Sequence, residues 1–224
     1  MRLLRLLKKF NWKIYLMELV IVIVGITIAY QVNIYYEKGI NRQLELTAIE
    51  NLHKENQINL EEFKSLEAYR KRISSETRSV FQLLGKQDVV KDSLEAHLFY
   101  LVQTSTPDLQ QEASNFYLNS NYSNANVQLK NELLTLKTYL QELLSVSNGY
   151  QQRKSQDFFG FLRDAVDFPK RKVVNMDKLT SLEFKNILWN QGSDEVELNR
   201  LYKQASDKLI KVQSLVEQIL KDAK

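Results

Sequence analysis

The chain has no cysteine, two prolines, two histidines and six glycines in 224 residues. Each shortage removes something. Without cysteine there is no disulfide, no thiolate metal site and no cysteine nucleophile. So few Pro and Gly residues disfavour a fold of many short strands and turns and favour long helices. His53 and His97 stand far apart and neither belongs to an H-x-x-x-H pair, so no metal site is expected. G-x-G-x-x-G, P-loop and nucleophile-elbow patterns are missing too. The expectation is a non-enzymatic chain that needs no cofactor.

What is present begins with charge. Of the 31 basic residues, Arg2, Arg5, Lys8, Lys9 and Lys13 fall before residue 14, where there is no acid; the other 26 face 27 acids. The net charge of +4 is therefore a local topogenic signal, and the rest of the chain offers no basic patch for nucleic acid.

An apolar run follows over residues 14–36, broken only by Glu18, Thr27, Gln31 and Asn33. About 20 helical residues cross the hydrocarbon core of a bilayer, so this run is long enough. Trp12 and Tyr15 at one end, and Tyr30, Tyr35 and Tyr36 at the other, suit the two interfaces. The competing reading, a cleaved signal peptide, fits poorly: the run is longer than an h-region, contains an acid and lacks a small-x-small cleavage site. The basic cluster before the span predicts a cytoplasmic N-terminus and an external remainder. The expected organisation is a tail over 1–13, a transmembrane helix over 14–36 and a helical domain over 37–224.

Glu18 is the anomaly in the span. At about 100° per residue, Glu18, Val22, Gly25 and Ala29 share one stripe, with Asn33 at its edge. Gly25-x-x-x-Ala29 is a small-xxx-small pair that admits a second helix at close range. Thr27, Gln31 and Lys13 point elsewhere, so no basic residue of the same helix neutralises the acid. Three roles are open to it: hydration near the headgroups, pairing with another helix, or proton carriage.

Beyond the span, Ile49, Leu52, Phe63, Leu66, Ile73, Val80 and Leu84 fall on a 3-4 spacing, with Asn56, Asn59, Arg70 and Thr77 at intervening seam positions. That heptad-like stripe predicts a long packed helix, either within its own bundle or in a coiled coil between chains. A turn at 84–88 with Asp88 as N-cap, a helix over 89–104, a short helix capped by Thr106 or Asp108 after Pro107, and a loop over 119–126 are expected next. A long helix over 125–166 would turn Leu129, Leu133, Leu136, Leu140, Leu143 and Leu144 inward. Residues 167–175 read as a boundary, and a shorter helix should span 176–189. Gly192 would end that helix, and Asp194 with Glu197 would form a capping box for the last one. Val196, Leu201, Ala205, Leu209, Val212, Val216 and Ile219 should share one side of that last helix. The expected fold class is all-α: one N-terminal transmembrane helix continuing into an elongated antiparallel helical bundle outside the membrane.

Two further stretches have two readings each. Lys170, Arg171 and Lys172 make a solvated loop or a contact for an anionic partner. Phe158, Phe159, Phe161 and Phe168 cover most of a helix circumference, as a buried bundle end or as a docking patch.

The run ELVIVIVGITIAYQVN (18–33), followed by NRQLELTAIENLHKENQINLEEF (41–63), resembles a functionally uncharacterised family of single-pass inner-membrane proteins from Bacteroidota. The span pattern matches at Glu18, Gly25, Ile26, Ala29, Gln31 and Asn33. The family usually closes its span with tryptophan, where this chain has Tyr35. Weaker similarity lies around Pro107, residues 116–118, Leu129, Asn131 and Leu133, and in FKNIL (184–188). The resemblance implies a bacterial inner membrane and a periplasmic domain, and no activity. It also favours helix pairing as the role of the Glu18 stripe.

The functional expectation is a membrane-anchored interaction or scaffold protein, or an accessory subunit. Its partners would be membrane lipid and either a second copy or another inner-membrane protein. A short N-terminal tail would leave inward signalling to that partner. The alternatives are a proton-coupled, stator-like subunit using Glu18, or a periplasmic four-helix sensor module acting through a partner.

Overall fold

The computed structural model describes residues 12–122 and 126–223. They are mostly helical. The order is α1 (Trp12–Leu84), α2 (Lys91–Leu101), α3 (Glu112–Asn119), α4 (Val127–Arg153), a π-helical turn (Lys154–Phe159), α5 (Gly160–Leu162), β1 (Val166–Asp167), β2 (Lys172–Val173), α6 (Met176–Thr180) and α7 (Leu182–Asp222). The chain divides into two compact units, Met1–Thr47 with Asn121–Ala125, and Ala48–Ser120 with Asn126–Lys224.

In the first unit, α1 carries the apolar run, and its apolar side chains from Trp12 to Val32 are exposed. That one helix is long and apolar enough to cross a membrane. Thr27 donates its hydroxyl to the Ile23 carbonyl at 2.8 Å, so its polarity is absorbed within the helix.

In the second unit, all seven apolar stripe residues of α1 are buried, and so are Asn56, Asn59, Arg70 and Thr77. The chain's own helices supply the cover, which favours intrachain packing over a coiled coil between chains. α7 packs along α4 in the opposite direction: Lys208 and Lys211 reach Glu132, while Arg153 reaches Asp194. α7 meets α1 through side chains, with Gln213 beside His53 and Asn199 donating to Ser74 at 3.1 Å. One end is closed by an apolar cluster of Val80, Leu94, Leu98, Phe158, Phe161 and Phe184. There the rings of Phe161 and Phe184 stack at 5.2 Å.

Segment 103–111 is irregular, and neither Thr106 nor Asp108 caps the short helix expected after Pro107. α1 holds the segment in place. Asn59 donates to the Gln110 carbonyl at 2.8 Å and accepts from the Gln110 N–H at 2.9 Å. α3 starts only at Glu112, where the buried Glu55 carboxylate accepts the Ala113 and Ser114 N–H groups at 2.7 and 3.0 Å. A carboxylate from another helix thus satisfies the first turn and its dipole. Asp88 does not cap α2, whose N-cap is Val90 without a side-chain bond.

The break expected at 190–194 is absent: α7 runs through it, and the interruption comes earlier, at Ser181, whose hydroxyl accepts from the Phe184 N–H. Gly192 has helical neighbours on both sides, and Asp194 pairs with Arg153 instead of capping. Helix continuity keeps Leu188, Gln191, Glu195 and Leu198 on one buried face, which outweighs the intrinsic cost of a mid-helix glycine, about 1 kcal/mol. Val196 and Val90 are exposed, against expectation, because Val196 lies off the buried face of α7 and Val90 precedes α2 as its N-cap. The 167–175 boundary is a two-residue antiparallel hairpin, Val166 opposite Val173, with Arg171 at φ 52° in its turn.

Two substitutions check this packing by far-UV circular dichroism of unfolding. Phe184→Ala removes a fully buried ring and should cost about 3–5 kcal/mol. Gly192→Ala places its Cβ an ordinary 3.9 Å from Thr77 Cγ2, and should stabilise the chain by about 0.5–1 kcal/mol.

Candidate functional site

The membrane stripe stands as a set on one helix. Glu18, Val22, Gly25, Ala29 and Asn33 all lie within α1 and are exposed. A Cβ added at Gly25 would meet nothing within 4 Å, so the notch is open. Asn33 donates to Glu37 Oε1 at 2.9 Å, one turn along, and so brings a second acid to the end of the stripe. Lys13 is exposed in the first turn of α1, while Arg2, Arg5, Lys8 and Lys9 lie outside the described residues.

Of the two readings of the aromatic patch, the fold favours the buried bundle end: Phe158 and Phe161 are buried, and Phe159 and Phe168 pack partly buried against the same cluster. The three cations of the hairpin have partners within the chain. Lys170 pairs with Asp167 at 3.1 Å, Lys172 with Glu95 at 2.9 Å, and the Arg171 guanidinium lies 5.5 Å from the Phe99 ring centroid. Those contacts favour the reading of a solvated loop.

The structure also assembles a site that sequence reasoning missed. Arg70 of α1 and Glu195 of α7 form a buried ion pair at 3.0 Å, with both side chains almost wholly excluded from solvent. Lys154, at the start of the π-helical turn, is equally buried and donates to the Gln103 carbonyl at 2.5 Å. The Tyr69 hydroxyl donates to the same carbonyl at 2.8 Å. The Arg70 guanidinium lies over the rings of Tyr202 and Tyr150, 5.1 and 5.4 Å from their centroids. With the Ser105 carbonyl, 3.4 Å from Arg70 Nη2, two cations and one carboxylate are enclosed by three phenols and two carbonyls.

Those neighbours set the protonation. Burial works against the Arg70 charge, but Glu195 outweighs it and holds the guanidinium above its ordinary pKa. Burial pushes the Lys154 ammonium down to about 8, since the one nearby carboxylate is already engaged by Arg70. Burial, and then the charge of Glu195, raise the Tyr69 phenol to about 12; burial likewise raises Tyr202.

Only Arg70 carried a sequence signal, as a charge in an apolar seam. Glu195 lies 125 residues away from it, and Lys154 sits in a polar stretch, so neither announces burial. The histidines are each tied to one neighbour, His97 to Glu76 at 2.6 Å and His53 to Gln213 at 2.7 Å. Among the described residues no group of three metal-ligating side chains forms.

Breaking the pair should hurt more than removing it. Glu195→Gln leaves Arg70 buried without a counter-charge and should destabilise by about 3–5 kcal/mol, whereas the double change Arg70→Met, Glu195→Met should cost much less. Lys154 gives a pH signature. Its folded pKa of about 8 lies below the ordinary lysine value, so between the two the unfolded chain binds more protons. Stability should therefore rise from pH 8 towards pH 10, by about 2 kcal/mol at most, and Lys154→Met should flatten the rise in denaturant titrations. No protein-family model, curated protein or solved structure matches this chain.

Proposed function

We propose that the chain is a single-pass protein of a bacterial inner membrane, with its N-terminus in the cytoplasm and its helical domain in the periplasm. It acts as an interaction or accessory subunit, without enzymatic activity of its own. The domain is an elongated antiparallel bundle whose rigidity comes from the buried charge cluster. The span pairs with a second copy, or with another inner-membrane protein, through Glu18, Val22, Gly25 and Ala29.

One observation carries this reading: an open notch at Gly25 on an exposed apolar helix, aligned with a carboxylate that its own helix leaves without a cation. Close helix approach at small residues gains packing contacts, and a polar partner for the acid removes the cost of leaving it in lipid. The surrounding lipid supplies the rest of the environment.

Gly25→Leu should abolish the assembly seen by mass photometry in nanodiscs, and should abolish co-purification of any stoichiometric partner. Glu18→Gln keeps hydrogen bonding but removes charge. It should weaken assembly; a protein that assembles normally and yet loses function in cells would instead identify a proton carrier.

A further inference from the structure

α7 carries two seams. One is buried in the bundle. The other faces outward: Leu182, Trp189, Val196 and Ile210 are all exposed and, with Lys203, recur every seven residues. A seven-residue repeat keeps side chains on one side of a helix, and it is the spacing that a second helix reads. Exposed apolar residues scattered singly need no explanation, but a row of them marks a contact surface.

The row borders a groove between α1 and α7. Ser74, Ser75 and Ser206 line it, and Gly192 and Ser193 line its continuation beside Trp189. These small side chains leave room for a ridge of another helix. On the α1 side the face carries Phe81, exposed and 6.1 Å from Trp189 between ring centroids. From Trp189 to Ile210 the face runs about 30 Å at about 1.5 Å per residue, and two helices of about 10 Å each make it about 20 Å wide. Pairing it would cover about 600 Å² on each partner, about 1,200 Å² in all, which reaches the size of a stable interface.

We propose that this face pairs with the same face of a second copy, about a two-fold axis running along the groove. The direction of the axis rests on the single-pass reading above. It keeps both copies pointing the same way, as two chains anchored in one bilayer must, whereas an axis across α7 would reverse one of them. About the lengthwise axis, α7 of each copy lies against α1 of the other. The contacts Phe63–Tyr202, Ser74–Asn199 and Phe81–Trp189 fix which residues share a level. Trp189 therefore meets Phe81 of the second copy, Val196 meets Ser74, and Lys203 meets Glu67. Lys203 makes no ion pair within its own chain among the described residues, so it gains a carboxylate only across the interface. The rings and aliphatic side chains supply the affinity, and the charges set the register.

A chain without cysteine allows a direct test. Glu67→Cys and Lys203→Cys are placed in two differently tagged full-length copies, co-expressed, and treated in membranes with a short bis-maleimide. The mixed 67–203 adduct should form. A Gln152→Cys copy, substituted at an exposed position of α4, should give no adduct with either. Val196→Asp, an exposed change whose circular-dichroism melt should match the parent, should lower the 67–203 adduct several-fold. Mass photometry of the same protein in nanodiscs separates this contact from one in the span. A dimer that yields no 67–203 adduct overturns the proposal and leaves the span contact standing. An adduct that forms undiminished in Gly25→Leu upholds the proposal and removes the span as the source of assembly. Adducts equally abundant with Gln152→Cys, or unaffected by Val196→Asp, also overturn it.

Discussion

The second unit is organised around the burial of charge. Taking Arg70 and Glu195 out of water costs several kcal/mol per ion, and the cost is recovered only if their geometry is fixed on every side. The pair supplies its own attraction at 3.0 Å, Tyr202 and Tyr150 cover the guanidinium, and the Ser105 carbonyl takes another donor. α1, the irregular segment over 103–111, α4 and α7 must all be in place for that cage to close. A buried pair of this kind adds little net stability, but it penalises any arrangement that leaves either ion alone.

The same logic explains the irregular segment between α2 and α3, whose backbone groups need partners wherever they turn inward. Asn59, Tyr69 and Lys154 satisfy several of them from neighbouring elements. Polar residues in the seam of α1 thus act as fixed brackets for a chain segment that has no hydrogen-bonding partner of its own. Lys154 reaches its carbonyl from the one stretch where α4 departs from α-helical geometry, and wider turns of this type occur often where a side chain has a particular task.

Along α1 the buried seam is apolar except at its polar layers, whereas the face that lines the groove against α7 carries Ser74 and Ser75, and the exposed stripe near the N-terminus carries Gly25 and Ala29.

The sequence by itself determined the parts that rest on local periodicity. A helix long and apolar enough to cross a membrane follows from the run over 14–36, the long packed helix from a 3-4 spacing, and its end from the turn at 84–88. Asn56, Asn59, Arg70 and Thr77 were readable as a polar seam because helical phase alone brings them to the stripe. Tertiary structure decided everything that depends on a distant partner. Glu195 and Lys154 are ordinary surface types until α1 and the 103–111 segment close over them. Gly192 and Asp194 form a plausible helix end locally, yet the buried face from Leu188 to Leu198 needs one continuous helix against two neighbours, and burial outweighs local preference. The phenylalanines of 158–168 could face water or core with equal local sense. Stacking on Phe184 placed them inside, because apolar rings lose most by staying exposed.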